Sequence, residues 1–424
     1  MKIAVIGAGI IGVTTAYELA CDGHEVTVFE RRGAAAEEAS FANAGIVAPG
    51  YVTPWAAPGM PLKVLKNLFS PHAAVKVGLP LSGSELAWMW RWLRACTPHT
   101  YLAHRTQLQR LAFYSRTRLH QITADLKLDY DRSDGYMVLL RSQSDSDMVQ
   151  PGLQVLREAG VAFTELDAAG ARHIEPALNP DTAFLGAIHL PGDEVGNCRQ
   201  FCLMLKNESQ ALGVEFAFNT TVAGLAHASR NRACAVQIAG ETAPRAFDAV
   251  VMCAGLASAQ LLRPLGLKIP MAAVYGYSLT APIREAHGEP LNAPVSAVMD
   301  ERYKVAISRL GHHVRVAGSA EIGGAPERHR ASSVQTLYKV LHDWYPGAVA
   351  PTGAVQIWKG ARPMLPDGPP VVGQSGVPGL WLNLGHGSSG WALSCGSARA
   401  LADMVAGRAP ALDMAGFGVV RYTQ

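Results

Sequence analysis

The 424-residue sequence contains no apolar run of about 18 residues, so no segment reads as a membrane-spanning helix. Charge is sparse: Asp, Glu, Lys and Arg make up 17%, and 37 basic against 34 acidic side chains leave a net charge of +3. That balance offers no basic surface for nucleic acid. Seven cysteines, an odd number scattered over a long chain, suit reduced thiols better than a disulfide framework and point to the cytoplasm. Cys198 and Cys202 have no second Cys or His pair at ligand spacing, so no metal is expected. Hydrophobic residues at 49%, with 42 Gly and 26 Pro, exclude disordered, collagen-like and coiled-coil chains. A turn-rich globular protein of roughly two to three domains with a small-molecule partner is the default.

The first residues carry the most information. Lys2 before an apolar run mimics a signal peptide, but the glycines that follow fall where a nucleotide turn needs them. Lys2–Ile6 reads as a buried strand, Gly7-Ala8-Gly9-Ile10-Ile11-Gly12 opens a helix reaching about Asp22, and Glu25–Phe29 is a second strand ending at Glu30. Strand, GxGxxG turn, helix, strand and terminal acid form a βαβ unit for a dinucleotide. Its helix N-terminus would meet the pyrophosphate and Glu30 the ribose. Near the other end, Leu380–Leu384 reads as a strand, Gly385-His386-Gly387-Ser388-Ser389-Gly390 as a second glycine-rich turn, and Trp391–Val405 as a helix. In a flavin enzyme this second helix N-terminus would stabilise negative charge on the reduced ring. Phe247–Cys253 reads as a further buried strand, with Ala254 and Gly255 placed for a nucleotide to lie against backbone.

Several longer motifs occur in one order: Ala42-Asn43-Ala44-Gly45, Pro49-Gly50-Tyr51, Pro54-Trp55-Ala56-Ala57-Pro58-Gly59, Gly276-Tyr277-Ser278-Leu279-Thr280, Arg362-Pro363-Met364-Leu365-Pro366-Asp367-Gly368 and Gly390-Trp391. With the two glycine turns they make the chain resemble, over essentially its whole length, the bacterial FAD-dependent D-amino acid dehydrogenases. These stand within the wider group of D-amino acid, glycine and sarcosine oxidases. The resemblance implies an α/β Rossmann-like FAD domain, discontinuous in sequence (1–55, 190–268 and 356–424), and an α+β substrate cap with a mainly antiparallel sheet (56–189 and 269–355). Within the cap, Ser84–Cys96, His104–Leu126 and Asp145–Ala159 read as helices. Gly135–Arg141, Tyr275–Thr280 and a Val305–Arg309/His313–Ala317 hairpin read as strands.

The resemblance also implies roles. FAD would be held by Gly7 to Gly12, Glu30, Arg31, Ser40, Asn43, Ala44, Gly45, Val222, Ala254, Gly255 and Gly385 to Gly390. Arg362 would grip the substrate carboxylate with its planar fork. Tyr277 and Tyr275 could add hydroxyls to that carboxylate or close the pocket, and His386 could hydrogen-bond the flavin edge. Electrons would pass to a quinone-type or other acceptor. Trp88, Trp90 and Trp92, with Lys63, Lys66 and Lys76 around Val64, Leu65, Leu68 and Phe69, could touch the inner face of a membrane or simply pack the cap. Three places depart from the D-alanine-type pattern: Tyr275 for Lys, Ala361 for Leu, and the pair Ser388-Ser389 for Thr-Leu. They suggest a wider, more polar pocket suited to D-proline or a hydroxyproline isomer rather than D-alanine. An oxygen-using glycine or sarcosine-type oxidase, and a flavin-binding protein without turnover, stay open as alternatives.

Overall fold

The structure is a computed structural model that describes all residues except 68–69, 228–233, 285–291, 351–352 and 423–424. Two sheets organise the chain. The elements that matter for the site are, in chain order, β1 (Lys2–Ile6), α1 (Ile10–Cys21), β2 (Glu25–Phe29), α2 (Met60–Asn67), α3 (Gly83–Ala95), α4 (Pro98–Leu126), β3 (Ala249–Met252), β4 (Ala272–Pro282), β5 (His313–Gly323), β6 (Gln356–Met364), β7 (Leu380–Leu384) and α5 (Gly390–Val405).

The first sheet is six-stranded. Its centre runs β7-β3-β1-β2 with every neighbouring pair parallel; Glu215–Ala217 extends it beyond β2, and Val371–Gln374 closes the other edge antiparallel. β1 is apolar without alternation because both sheet faces are covered, and Ile3, Ala4 and Val5 are fully buried. α1 is buried nearly all round: α5 and the helix Cys198–Ala211 pack against it and α4 packs over α5, sharing one core that joins Val13 and Leu19 to Leu111, Leu119, Leu393 and Leu401. Glu18, fully buried inside that helix layer, accepts hydrogen bonds from Arg118 Nε at 2.6 Å and Arg399 Nη1 at 2.8 Å. A buried carboxylate survives there only because both cations reach it.

The second sheet is mixed and mainly antiparallel. It starts β6-β4-β5 and continues through Val305–Leu310, Ala297–Asp300, Ser133–Leu140 and Gly186–Val195 to Ile46–Val47. The helix Ala331–Trp344 packs on its β4–β5 face, where Leu337, Val340 and Trp344 meet Tyr277 and Leu279.

Most expected elements are present with shifted ends, and three differ for physical reasons. The segment 247–253 is not one strand. Arg245–Phe247 joins a separate three-stranded sheet and β3 begins at Ala249, because Asp248 turns out to accept the Lys2 amide at 2.6 Å. α4 begins six residues early, at Pro98, where Thr97 caps it and proline suits the first turn. β6 was not legible as a strand because Gly360 and Pro363 interrupt its apolar pattern. Several segments also pack across the division expected from sequence: α4, placed in the cap, lies in the core of the first sheet; β6 and Ile46–Val47, placed with the FAD domain, are the two edges of the second; and Gly186–Val195 spans the expected boundary.

Candidate active site

A cavity of about 1610 Å³ lies between the sheets, larger than the roughly 300–1,000 Å³ of an ordinary small-ligand pocket. One part of its lining comes from the carboxyl ends of the parallel strands, the place where open α/β sheets bind nucleotides. Gly7 follows β1 at φ +103°, and a Cβ there would come 2.7 Å from the Cys253 carbonyl oxygen. A Cβ on Gly12 would strike the Gly7 carbonyl oxygen at 1.8 Å. Both glycines are therefore compelled by close backbone packing, as the turn demands.

The N-terminus of α1 has no capping side chain of its own. Ser40 Oγ accepts the Ile10 amide from across the cleft at 3.0 Å and keeps its own proton to donate. Glu30 accepts the Ala8 amide at 2.7 Å with one oxygen and the Arg32 amide at 2.8 Å with the other. The acid expected to reach a ribose thus also braces the turn. Arg31 is exposed and committed to Glu38, its Nε donating at 2.9 Å. Asn43 folds back on Gly45, Oδ1 accepting its amide at 3.0 Å, and the carbonyls of Ala44 and Gly45 accept from Ser308 and Trp391. Gly9, Ile10, Ile11, Val222, Ala254, Gly255 and the turn 385–390 all line the cavity, while Ala8 and Gly12 shape the turn from behind it. Asn383, missed in the sequence, also lines it: it is fully buried, its Oδ1 has no hydrogen-bond partner among the described residues, and its Nδ2 donates to Thr15. Free backbone donors at two helix starts, an acid behind the first turn and a lining of small residues fit a flavin dinucleotide.

Further lining comes from β4, β5 and β6, and from α2 and the segments 51–57, 70–75 and 299–306. The Arg362 guanidinium has one hydrogen bond, Nη1 to the Ser319 carbonyl at 3.0 Å, and no carboxylate partner among the described residues. Burial pushes its pKa down to about 10, so it stays charged at neutral pH. Ser319 itself sits at φ +58°, in a bulge of β5 opposite Tyr275–Tyr277. The guanidinium lies over Gly276, where a Cβ would be 2.3 Å from Nη2. A half-buried, charged fork lining a cavity, with no counter-ion among the described residues, is a site for an anion.

The structure separates the two tyrosines from this anchor. Tyr275 and Tyr277 pair with Ala361 and Lys359, whereas Arg362 pairs with Val274 and covers Gly276. Successive residues of a strand face opposite ways, so the tyrosines stand on the other face of β4. The Tyr277 hydroxyl is committed to the Glu321 carboxylate and accepts the Arg330 amide at 3.1 Å; burial and that carboxylate raise its pKa. It has no hydroxyl to give a substrate. The Tyr275 ring lies under the Lys359 ammonium at 4.3 Å. Ala361 shares the tyrosine face too, so the missing leucine branch does not widen the space beside Arg362. His386 Nε2 pairs with Ser397 Oγ at 3.0 Å, and burial holds its pKa at about 3. The ring is therefore uncharged at neutral pH, with a single N–H.

Trp88 is core, its Nε1 donating to the Met364 carbonyl at 2.9 Å, while Trp90 is 61% exposed and Trp92 half-buried. Lys76 is buried against Pro71 and Ser332, away from any surface patch. Leu68 and Phe69 lie outside the described residues. No helix among the described residues is long and apolar enough to cross a membrane, and none of them group as metal ligands. Trp358, not singled out in the sequence, stands on the same face of β6 as Arg362 and lines the cavity.

Residues 2–404 match the family described as DAO, FAD dependent oxidoreductase. D-amino acid dehydrogenases from two strains of Cereibacter sphaeroides are each 44% identical over 427 residues, taking in 100% of this chain and 95% of the relative. Among solved structures, glycine oxidase from Geobacillus kaustophilus superposes with a TM-score of 0.74 at 22% identity, over 99% of both chains. L-proline dehydrogenase from P. horikoshii gives 0.74 at 16% identity, over 100% of this chain and 97% of that one. At such identities the two structures speak for the fold alone.

Proposed function

We propose that this chain, which belongs to the DAO family of FAD-dependent oxidoreductases, is a dehydrogenase that oxidises the Cα–N bond of a D-amino acid. The observation that carries the reading is the unpaired Arg362 guanidinium beside a dinucleotide-shaped cleft. Arg362 holds the substrate carboxylate in two parallel hydrogen bonds, and Gly276 provides the room for the fork. FAD, when bound, supplies the acceptor for the hydride that leaves Cα. A neutral substrate amine provides the electron pair that replaces it, so no protein base is required, in keeping with the neutral, hydrogen-bonded His386. Catalysis then rests on orientation, which a fixed carboxylate supplies. The product is an imine; water converts an open-chain imine to a 2-oxo acid and ammonia, while a ring substrate such as D-proline retains a cyclic imine.

The electron acceptor is of quinone type. In support of an acceptor reached at a bilayer surface, Leu62, Leu65 and Trp90 on α2 and α3 are more than half exposed beside the exposed cations Lys66, Arg91 and Arg94. The test is an anaerobic screen of flavin bleaching against paired D- and L-amino acids, followed by reoxidation with a short-chain quinone or with oxygen. D-specific bleaching, quinone-dependent reoxidation and little hydrogen peroxide are expected. Bleaching by L-isomers, or fast peroxide formation, overturns the dehydrogenase reading.

A further inference from the structure

Trp358 and Arg362 reach one spot from two positions on the same face of β6, with Gly360 between them. The indole folds down over Gly360, where a Cβ would meet Cη2 at 1.7 Å and Cζ2 at 2.0 Å. The guanidinium lies over Gly276, and Gly276 and Gly360 are register partners across β4 and β6. Directly opposed residues of an antiparallel pair have Cα atoms about 4.5–5.5 Å apart. The indole and the guanidinium therefore lie side by side on a floor of two glycines, and both line the cavity. The indole also reaches toward the Phe41 ring, centroids 6.4 Å apart, next to the Ala42–Gly45 loop. An aromatic surface thus adjoins the anion anchor on the side of the cofactor cleft.

We infer that Trp358 is the specificity-determining wall for the substrate side chain, and that it selects D-amino acids carrying a ring or a large apolar group. This rests on the proposed function, since Arg362 must first fix the carboxylate. Once that end is fixed, the side chain emerging from Cα has the indole beside it. A flat ring or a long apolar chain buries surface against it; the methyl of D-alanine is too short to cover it. Of the positions expected to set selectivity, Ala361 stands on the face of β6 opposite Trp358, while Ser388 and Ser389 line the cavity from the second glycine turn.

The test uses the full-length FAD-loaded protein, with Trp358→Ala and Trp358→Phe. kcat/KM is measured for D-alanine, D-proline and D-phenylalanine, and the affinities of acetate and phenylacetate are read from the flavin absorbance. Trp358→Ala is expected to lower the D-phenylalanine and D-proline to D-alanine ratios by at least ~10-fold, with Trp358→Phe retaining most of the preference. Phenylacetate should weaken by a similar factor while acetate shifts by less than about twofold, since the anchor is intact. Unmoved ratios, or acetate weakened as much as phenylacetate, overturn the inference and leave Trp358 as a prop for Arg362. Loss of the underlying reading looks different: no D-amino acid bleaches the parent flavin and acetate does not bind, and the inference falls with it.

Discussion

Replacing Gly276 with alanine adds one methyl group in the place where the Arg362 guanidinium lies. The new Cβ would stand 2.3 Å from Nη2, 2.5 Å from Cζ and 2.8 Å from Nη1. Carbon and nitrogen at ordinary contact are about 3.5 Å apart, so the fork must move by roughly 1 Å. Gly276 is in the middle of β4 without a positive φ, so its backbone accepts alanine and the fold is not strained. The damage is confined to the anchor. A misplacement of about 1 Å in a positioning group costs about 100-fold in kcat/KM, equivalent to about 2.7 kcal/mol of transition-state stabilisation. Steady-state kinetics with a D-amino acid should therefore show that loss, while flavin content and melting temperature stay near those of the parent. Unchanged kinetics in a flavin-replete Gly276→Ala protein would refute the placement of Arg362 as the carboxylate ligand. A parallel loss of flavin would instead assign the glycine to the cofactor.

Glu30→Ala removes a carboxylate that braces the first turn through the Ala8 and Arg32 amides. FAD affinity should fall by about 10- to 100-fold, the value of a charged hydrogen bond, and equilibrium dialysis with fluorescence of the released flavin reads it. Ser40→Ala deletes the acceptor for the Ile10 amide and should lower unfolding free energy by about 0.5–2 kcal/mol in urea titrations; no change would mean that water replaces the cap without loss. His386 makes stability pH-dependent. Its folded pKa of about 3 lies below its ordinary value, so the unfolded chain binds a proton that the folded chain refuses. The contribution is fully present above about pH 6.5 and is lost as pH falls toward 3, at up to ~1.4 kcal/mol per pH unit. His386→Asn should flatten that part of the stability curve, and a slope identical to the parent's would remove His386 as its source.

The βαβ unit was legible because Gly7, Gly12 and Glu30 answer to backbone geometry that one stretch of chain determines. The carboxylate anchor was legible only through the motif around Arg362, since nothing local distinguishes a ligand arginine from an ion-paired one. The side of the strand on which each group lies was not legible. It depends on the register between β4 and β6, whose partners lie 76 to 92 residues apart in the chain, and on recognising β6 as a strand despite Gly360 and Pro363. Reading Gln356–Met364 with a period of two would have put Trp358, Gly360 and Arg362 together on one face and the tyrosine partners Lys359 and Ala361 on the other. Likewise Tyr277 looked available until Glu321, brought beside it by β5, claimed its hydroxyl. Helix α4 was misplaced for a similar reason: its contacts with α1 and α5 join the middle of the chain to both ends.

The central claim is that the lone Arg362 charge exists to hold a substrate carboxylate. Anaerobic flavin reduction by D-proline and by pyrrolidine, the same ring without the carboxylate, measures this directly in the parent and in Arg362→Met. The parent should reduce at least ~100-fold more efficiently with D-proline, and Arg362→Met should bring the two amines to within a few-fold of each other. A variant that keeps the parent's preference for D-proline would contradict the claim.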